Sequence, residues 1–150
     1  MRNPLQVALD FAVARSQEAE ALFKEWAPRV RDPEVQALFA QLAAGERGRV
    51  EMLSRMIPEE LAPPGGETFG LTDLLVHPKT VRHPTLEKTV RLAIRHKEVS
   101  ASLYERIAGF DGEACSFFRA MADADRRAMR ALEAYADRLT EGEASLTPPQ

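Results

Sequence analysis

Residues 42–53 read LAAGERGRVEML, and two charged residues inside that run, Glu46 and Arg49, decide how the chain is read. Apolar residues at helical spacing lead into it through Val35, Leu38 and Leu42 and out through Met52 and Met56. That spacing predicts positions 45, 46 and 49 on the buried stripe of a helix. Burying a charge without a partner costs several kcal/mol, roughly, so a sequence that does so needs a counter-charge, a metal or water beside it.

Working outward, Asn3-Pro4 and Asp32-Pro33 each combine an N-cap residue with proline at the first helical position. The first opens a helix over about residues 4–30, whose seam runs Leu5, Leu9, Ala12, Ser16, Ala19, Phe23, Trp26 and Val30. The second opens a helix ending near Ile57, and the short turn between them makes the two antiparallel neighbours. A third helix is expected from Pro84 or Thr85 to Ala108, closed by Gly109 and Gly112, and a fourth from Glu113 to about Leu139.

Residues 58–84 hold Pro63-Pro64-Gly65-Gly66 and two His-Pro pairs, His77-Pro78 and His83-Pro84. A connection of that length suits a crossover along a bundle. The histidines offer a surface metal site as one reading and turn geometry before proline as the other. Residues 140–150, TEGEASLTPPQ, have almost nothing to bury and are expected to be a disordered tail beyond a single 4–139 domain.

The helices repeat. AVARSQEAEALFKEWA (12–27) aligns with AIRHKEVSASLYERIA (93–108), and EVQALFAQLAAGERGRVEML (34–53) with EACSFFRAMADADRRAMRAL (113–132). The first alignment sets Phe23 on Tyr104; the second sets Phe39 on Phe118, Glu46 on Asp125 and Leu53 on Leu132. Two similar hairpins joined by a crossover define an all-α four-helix bundle with pseudo-two-fold symmetry. Each seam loses its apolar character near mid-helix, at Ser16, at Glu46 and Arg49, at Lys97, and at Asp125 and Ala128, so these positions are expected at one level inside. On the third helix Leu86, Val90, Ala93, Ala101, Tyr104 and Ala108 fall within about 80° of arc, and Lys97 falls among them. The other reading of Lys97 is a stem that packs while its amine reaches water. His96, one residue away, faces a neighbouring helix, a loop or a second subunit more than the centre, and reads as a packed histidine, with a ligand as the other reading.

Composition narrows the function. The chain has 150 residues and a net charge of −3; acids and bases alternate along the helices with no basic block, which argues against nucleic acid as a partner. One cysteine, Cys115, excludes an intramolecular disulfide or a CxxC knuckle and reads as a core residue. No segment approaches the roughly 18 apolar residues of a membrane span, and no secretory leader is apparent at the start. The expectation is a cytoplasmic protein with no membrane partner. Leu92, Val99, Leu103 and Phe110 give the third helix a second apolar face for the crossover or for a homodimer.

These runs resemble rubrerythrin-type members of the ferritin-like superfamily. The third helix is similar to the family run in which a metal-binding glutamate follows Ala-Ile by three and a tyrosine follows seven later; the second and fourth resemble the stretch leading into Glu-x-x-His. The resemblance implies ligands at 16, 46, 49, 97, 125 and 128. This chain carries Ser16, Glu46, Arg49, Lys97, Asp125 and Ala128 there. Glu46 is kept, Asp125 is a shortened glutamate, and Arg49 and protonated Lys97 have no lone pair for a cation. The expectation is that a buried salt-bridge cluster replaces the di-iron site, leaving no cofactor and a structural, interaction or small-ligand role. The alternative is an oxidoreductase or peroxidase holding residual iron or manganese on Glu46 and Asp125.

Overall fold

The computed structural model describes residues 4–56, 85–109 and 115–145. Among them are four α-helices and no strand: α1 Pro4–Trp26, α2 Pro33–Ser54, α3 Leu86–Ala108 and α4 Cys115–Ser145. None is long and apolar enough to cross a membrane.

Local chemistry sets most of the helix ends. The Asp32 carboxylate accepts from the backbone N–H of Glu34 at 2.9 Å and of Val35 at 3.4 Å, with Pro33 at the first helical position. Thr85 Oγ1 accepts from Lys88 N at 3.2 Å and opens α3. These side chains satisfy N–H groups that a helix start leaves without a partner. α1 ends at Trp26, short of the expected residue 30, and continues as one 3₁₀ turn over Ala27–Arg29. Pro28 supplies the reason, since it lacks an N–H and disfavours α geometry in the residue before it. Gly109 does end α3, but with an ordinary right-handed φ of −69°. α4 runs to Ser145, six residues past Leu139 and into the segment read as tail, because Glu141, Glu143 and Ala144 propagate a helix already formed.

The core falls into two apolar layers. One joins Leu5 and Leu9 of α1, Leu53 of α2, Leu103 and Tyr104 of α3, and Phe118 of α4. The other joins Phe23 and Trp26, Val35 and Phe39, Val90, and Leu132 and Tyr135. Phe23 meets Phe39 edge-on at 5.5 Å and Tyr104 stacks on Phe118 at 6.2 Å. The start of α1 therefore lies beside the end of α2, and the end of α3 beside the start of α4: both hairpins are antiparallel. α1 also packs on α3. Repeat mates lie in opposite layers, as with Phe23 and Tyr104, Phe39 and Phe118, and Leu53 and Leu132. A pseudo-two-fold axis at mid-height exchanges the layers in this way.

Every α1 seam residue from Leu5 to Val30 is buried. On α2 the stripe is turned by about one residue from the expected one. It runs Val35, Phe39, Ala43, Glu46 and Leu53, while Leu42 is half-buried and Gly45 and Met52 are exposed. Phe39 and Ala43 carry the contact, which Leu38 and Leu42 obscured by flanking it with equal hydrophobicity. Val99 and Leu103 join the first layer, so that part of α3's second face is spent inside the chain. Phe110, Gly112, the crossover, His77 and His83 lie outside the described residues.

Candidate functional site

Between the two layers every helix turns at least one polar residue inward. Ser16 follows Ala12 of one layer and precedes Ala19 of the other; Glu46, Lys97 and Asp125 mark the same change on their helices. Lys97 retains 3 % of its accessible surface, Glu46 2 % and Asp125 none. The side chain of Arg49 is 11 % exposed.

Lys97 Nζ donates to Glu46 Oε1 at 2.5 Å and to Asp125 Oδ1 at 3.3 Å. Arg49 Nη1 donates to Asp125 Oδ1 at 2.5 Å and to Glu46 Oε1 at 3.3 Å. Each cation thus makes its shorter contact with the other hairpin's carboxylate and its longer one within its own. Arg49 Nη2 also donates to the Met121 carbonyl at 3.2 Å. Ser100 Oγ donates to Asp125 Oδ2 at 2.6 Å and accepts from Arg49 Nη1 at 3.5 Å. Two anions and two cations sum to zero, which is what a poorly solvated interior requires of charges it holds.

Aromatic rings close the cluster on both sides. Arg49 Cζ lies 5.3 Å from the centre of the Tyr104 ring and Lys97 Nζ lies 5.8 Å from that of Phe23, distances at which a ring face attracts a cation. Burial pulls the Arg49 pKa down, but Asp125 and then Glu46 outweigh it, and the net direction is up. Burial pushes the Tyr104 phenol up to about 12, partly offset by Arg49. Ser16 lies close to that hydroxyl and lowers the rise, yet among the described residues the hydroxyl has no partner in hydrogen-bonding geometry.

Beside the cluster, Arg15 Nη2 lies 3.0 Å from His96 Nδ1. A guanidinium only donates, so Nδ1 accepts and the neutral ring carries its proton on Nε2. Burial lowers the Arg15 pKa, with Glu18 opposing and Arg95 adding to the fall. Arg15 and His96 are 81 residues apart, the offset of the first repeat, so each is the other's mate. A residue touches its own mate only beside the symmetry axis. His96 is packed, as the sequence predicts. Arg15 was missed, and its position over His96 in the repeat was the signal that could have found it.

The structure therefore brings Glu46, Arg49, Lys97 and Asp125 together with Ser16 and Ala128 buried at the same level. Ser16 and Ala128 take part in none of the ion pairs. Ser100 was missed as well; it lies three residues after Lys97, hence on the same face of α3. Among the described residues no three His, Cys, Asp or Glu side chains converge as metal ligands. A cation between Glu46 and Asp125 would meet the Lys97 ammonium and the Arg49 guanidinium already bonded to both carboxylates, so the residues present do not fit a di-metal centre. The groove lined by Arg91, Arg95, Glu98 and Glu133 shares no residue with the cluster. No family model, curated protein or solved structure matches the chain.

Proposed function

We propose that this protein is a rubrerythrin-type, ferritin-like four-helix bundle in which an ion-pair cluster stands where relatives hold two metals, and that its role is structural, interactive or small-ligand binding. One observation carries the reading: Lys97 Nζ reaches Glu46 at 2.5 Å and Asp125 at 3.3 Å, putting a fixed positive charge between the two surviving carboxylates. Four glutamates against two divalent cations sum to zero, and so do two carboxylates against Lys97 and Arg49. The layer exchange between repeat mates supports the bundle. Met56 packs on one layer and Leu86 on the other, the separation that an end-to-end crossover requires.

Elemental analysis of protein purified without chelators tests the metal-free role. Iron, manganese and zinc are expected far below one per chain, and near-stoichiometric metal would overturn the proposal in favour of a carboxylate-bound redox site. The positional reading has its own test. Ser16→Glu, Arg49→His, Lys97→Glu, Asp125→Glu and Ala128→His together restore four carboxylates and two imidazoles. The folded variant is expected to melt at a temperature that rises with free divalent metal.

A further inference from the structure

We infer that the charged mid-layer fixes the register in which the two hairpins meet. This rests on the cluster's geometry and is independent of any family reading. The two apolar layers are built from the same kinds of side chain, each with phenylalanine, leucine and tyrosine. Sliding one hairpin along the other by one heptad, about 10 Å at 1.5 Å per residue, again sets apolar on apolar. What a slip cannot preserve is the middle. In one direction it would set Glu46 and Arg49 against Val90 and Leu132, in the other against Tyr104 and Phe118, all fully or almost fully buried.

Within the charged layer the two shortest ion pairs, Lys97 to Glu46 and Arg49 to Asp125, both run between hairpins. They therefore report on inter-hairpin register directly, whereas the 3.3 Å contacts within each hairpin survive any slip. A buried ion pair adds little to stability over well-packed apolar residues of similar volume, but fixing register is a documented use of one. The layer excludes wrong pairings by what they would bury unpaired.

The test replaces the layer with apolar residues of similar size, Glu46→Met, Arg49→Leu, Lys97→Met and Asp125→Leu together. Trp26 is the only tryptophan in the chain and lies in one apolar layer. Labelled as 5-fluorotryptophan, it reports each register as a separate ¹⁹F resonance. The wild type is expected to give one resonance. The apolar variant is expected to give two or more, or one exchange-broadened signal, with a urea midpoint at or above that of the wild type. A single sharp resonance from the apolar variant would overturn the inference, because packing or the Arg15–His96 contact would then suffice. Failure of that variant to fold would overturn it too, by assigning the charges to stability instead of register. The exchanged pair Glu46→Lys with Lys97→Glu keeps the charges in the layer and is expected to return one resonance; several resonances there would also count against it.

Discussion

The hairpin α1–α2 and the hairpin α3–α4 share a backbone pattern but solve the middle of the core differently. Each supplies one carboxylate from its second helix, Glu46 or Asp125. Their cations come from different helices: Arg49 from α2 in the first hairpin, Lys97 from α3 in the second. The repeat mate of Lys97 is Ser16 and that of Arg49 is Ala128, so each long cation stands opposite a small residue across the pseudo-two-fold axis. Repetition set where the backbone goes, and the unlike side chains make one half complete the other. Neutrality is reached without symmetry.

This comparison breaks most visibly at the carboxylates, which are repeat mates with unequal duties. Asp125 accepts from Lys97, Arg49 and Ser100, and Glu46 from Lys97 and Arg49. Removing one member of a buried pair costs about 3 to 5 kcal/mol. Asp125→Ala is expected toward the upper end and Glu46→Ala toward the lower, measured by urea denaturation at pH 7. The reverse order would show that the hairpins do not divide the load as their contacts indicate.

A smaller effect sharpens the aromatic side of the same comparison. Tyr104 and its mate Phe23 both lie under cations, but only Tyr104 carries a hydroxyl, and that hydroxyl has no hydrogen-bond partner among the described residues. Its pKa is raised by burial to about 12 from 10. A pKa raised in the folded state contributes stability that is complete below the unfolded value and lost as pH rises through the folded one. Each form is half-titrated at its own end of the range, so the wild type is expected to lose about 2 kcal/mol more than Tyr104→Phe between pH 10 and pH 12, at 1.36 kcal/mol per unit. Parallel stability curves for the two proteins across that range would place the phenol in contact with solvent.

How much of this was legible in the sequence follows from where side-chain identity outweighs geometry. The α1 seam was readable because its steps of four and three hold from Leu5 to Trp26, even past apolar neighbours such as Phe11, Val13 and Leu22. Lys97 was readable too, since only one face of α3 accommodates Val90, Ala93, Ala101 and Tyr104 together. On α2, Leu38-Phe39 and Leu42-Ala43 are adjacent apolar pairs, and periodicity does not say which member faces inward; the packing of Phe39 on Phe23 does. Ser100 and Arg15 escaped for another reason. Each acts through a partner on another helix, and the angle between helices is set by packing that no single helix encodes.

The central claim is that Lys97 neutralises carboxylates inside the core, and substitution by methionine tests it most directly by keeping most of the volume and removing the charge. Stability of the wild type and Lys97→Met is measured by chemical denaturation at pH 7 and at about pH 5. The account predicts a loss of about 3 to 5 kcal/mol at pH 7, smaller at pH 5 as the stranded carboxylate takes up a proton. Equal stability at pH 7, within roughly 0.5 kcal/mol as for a surface substitution, would contradict it and place the Lys97 amine in water.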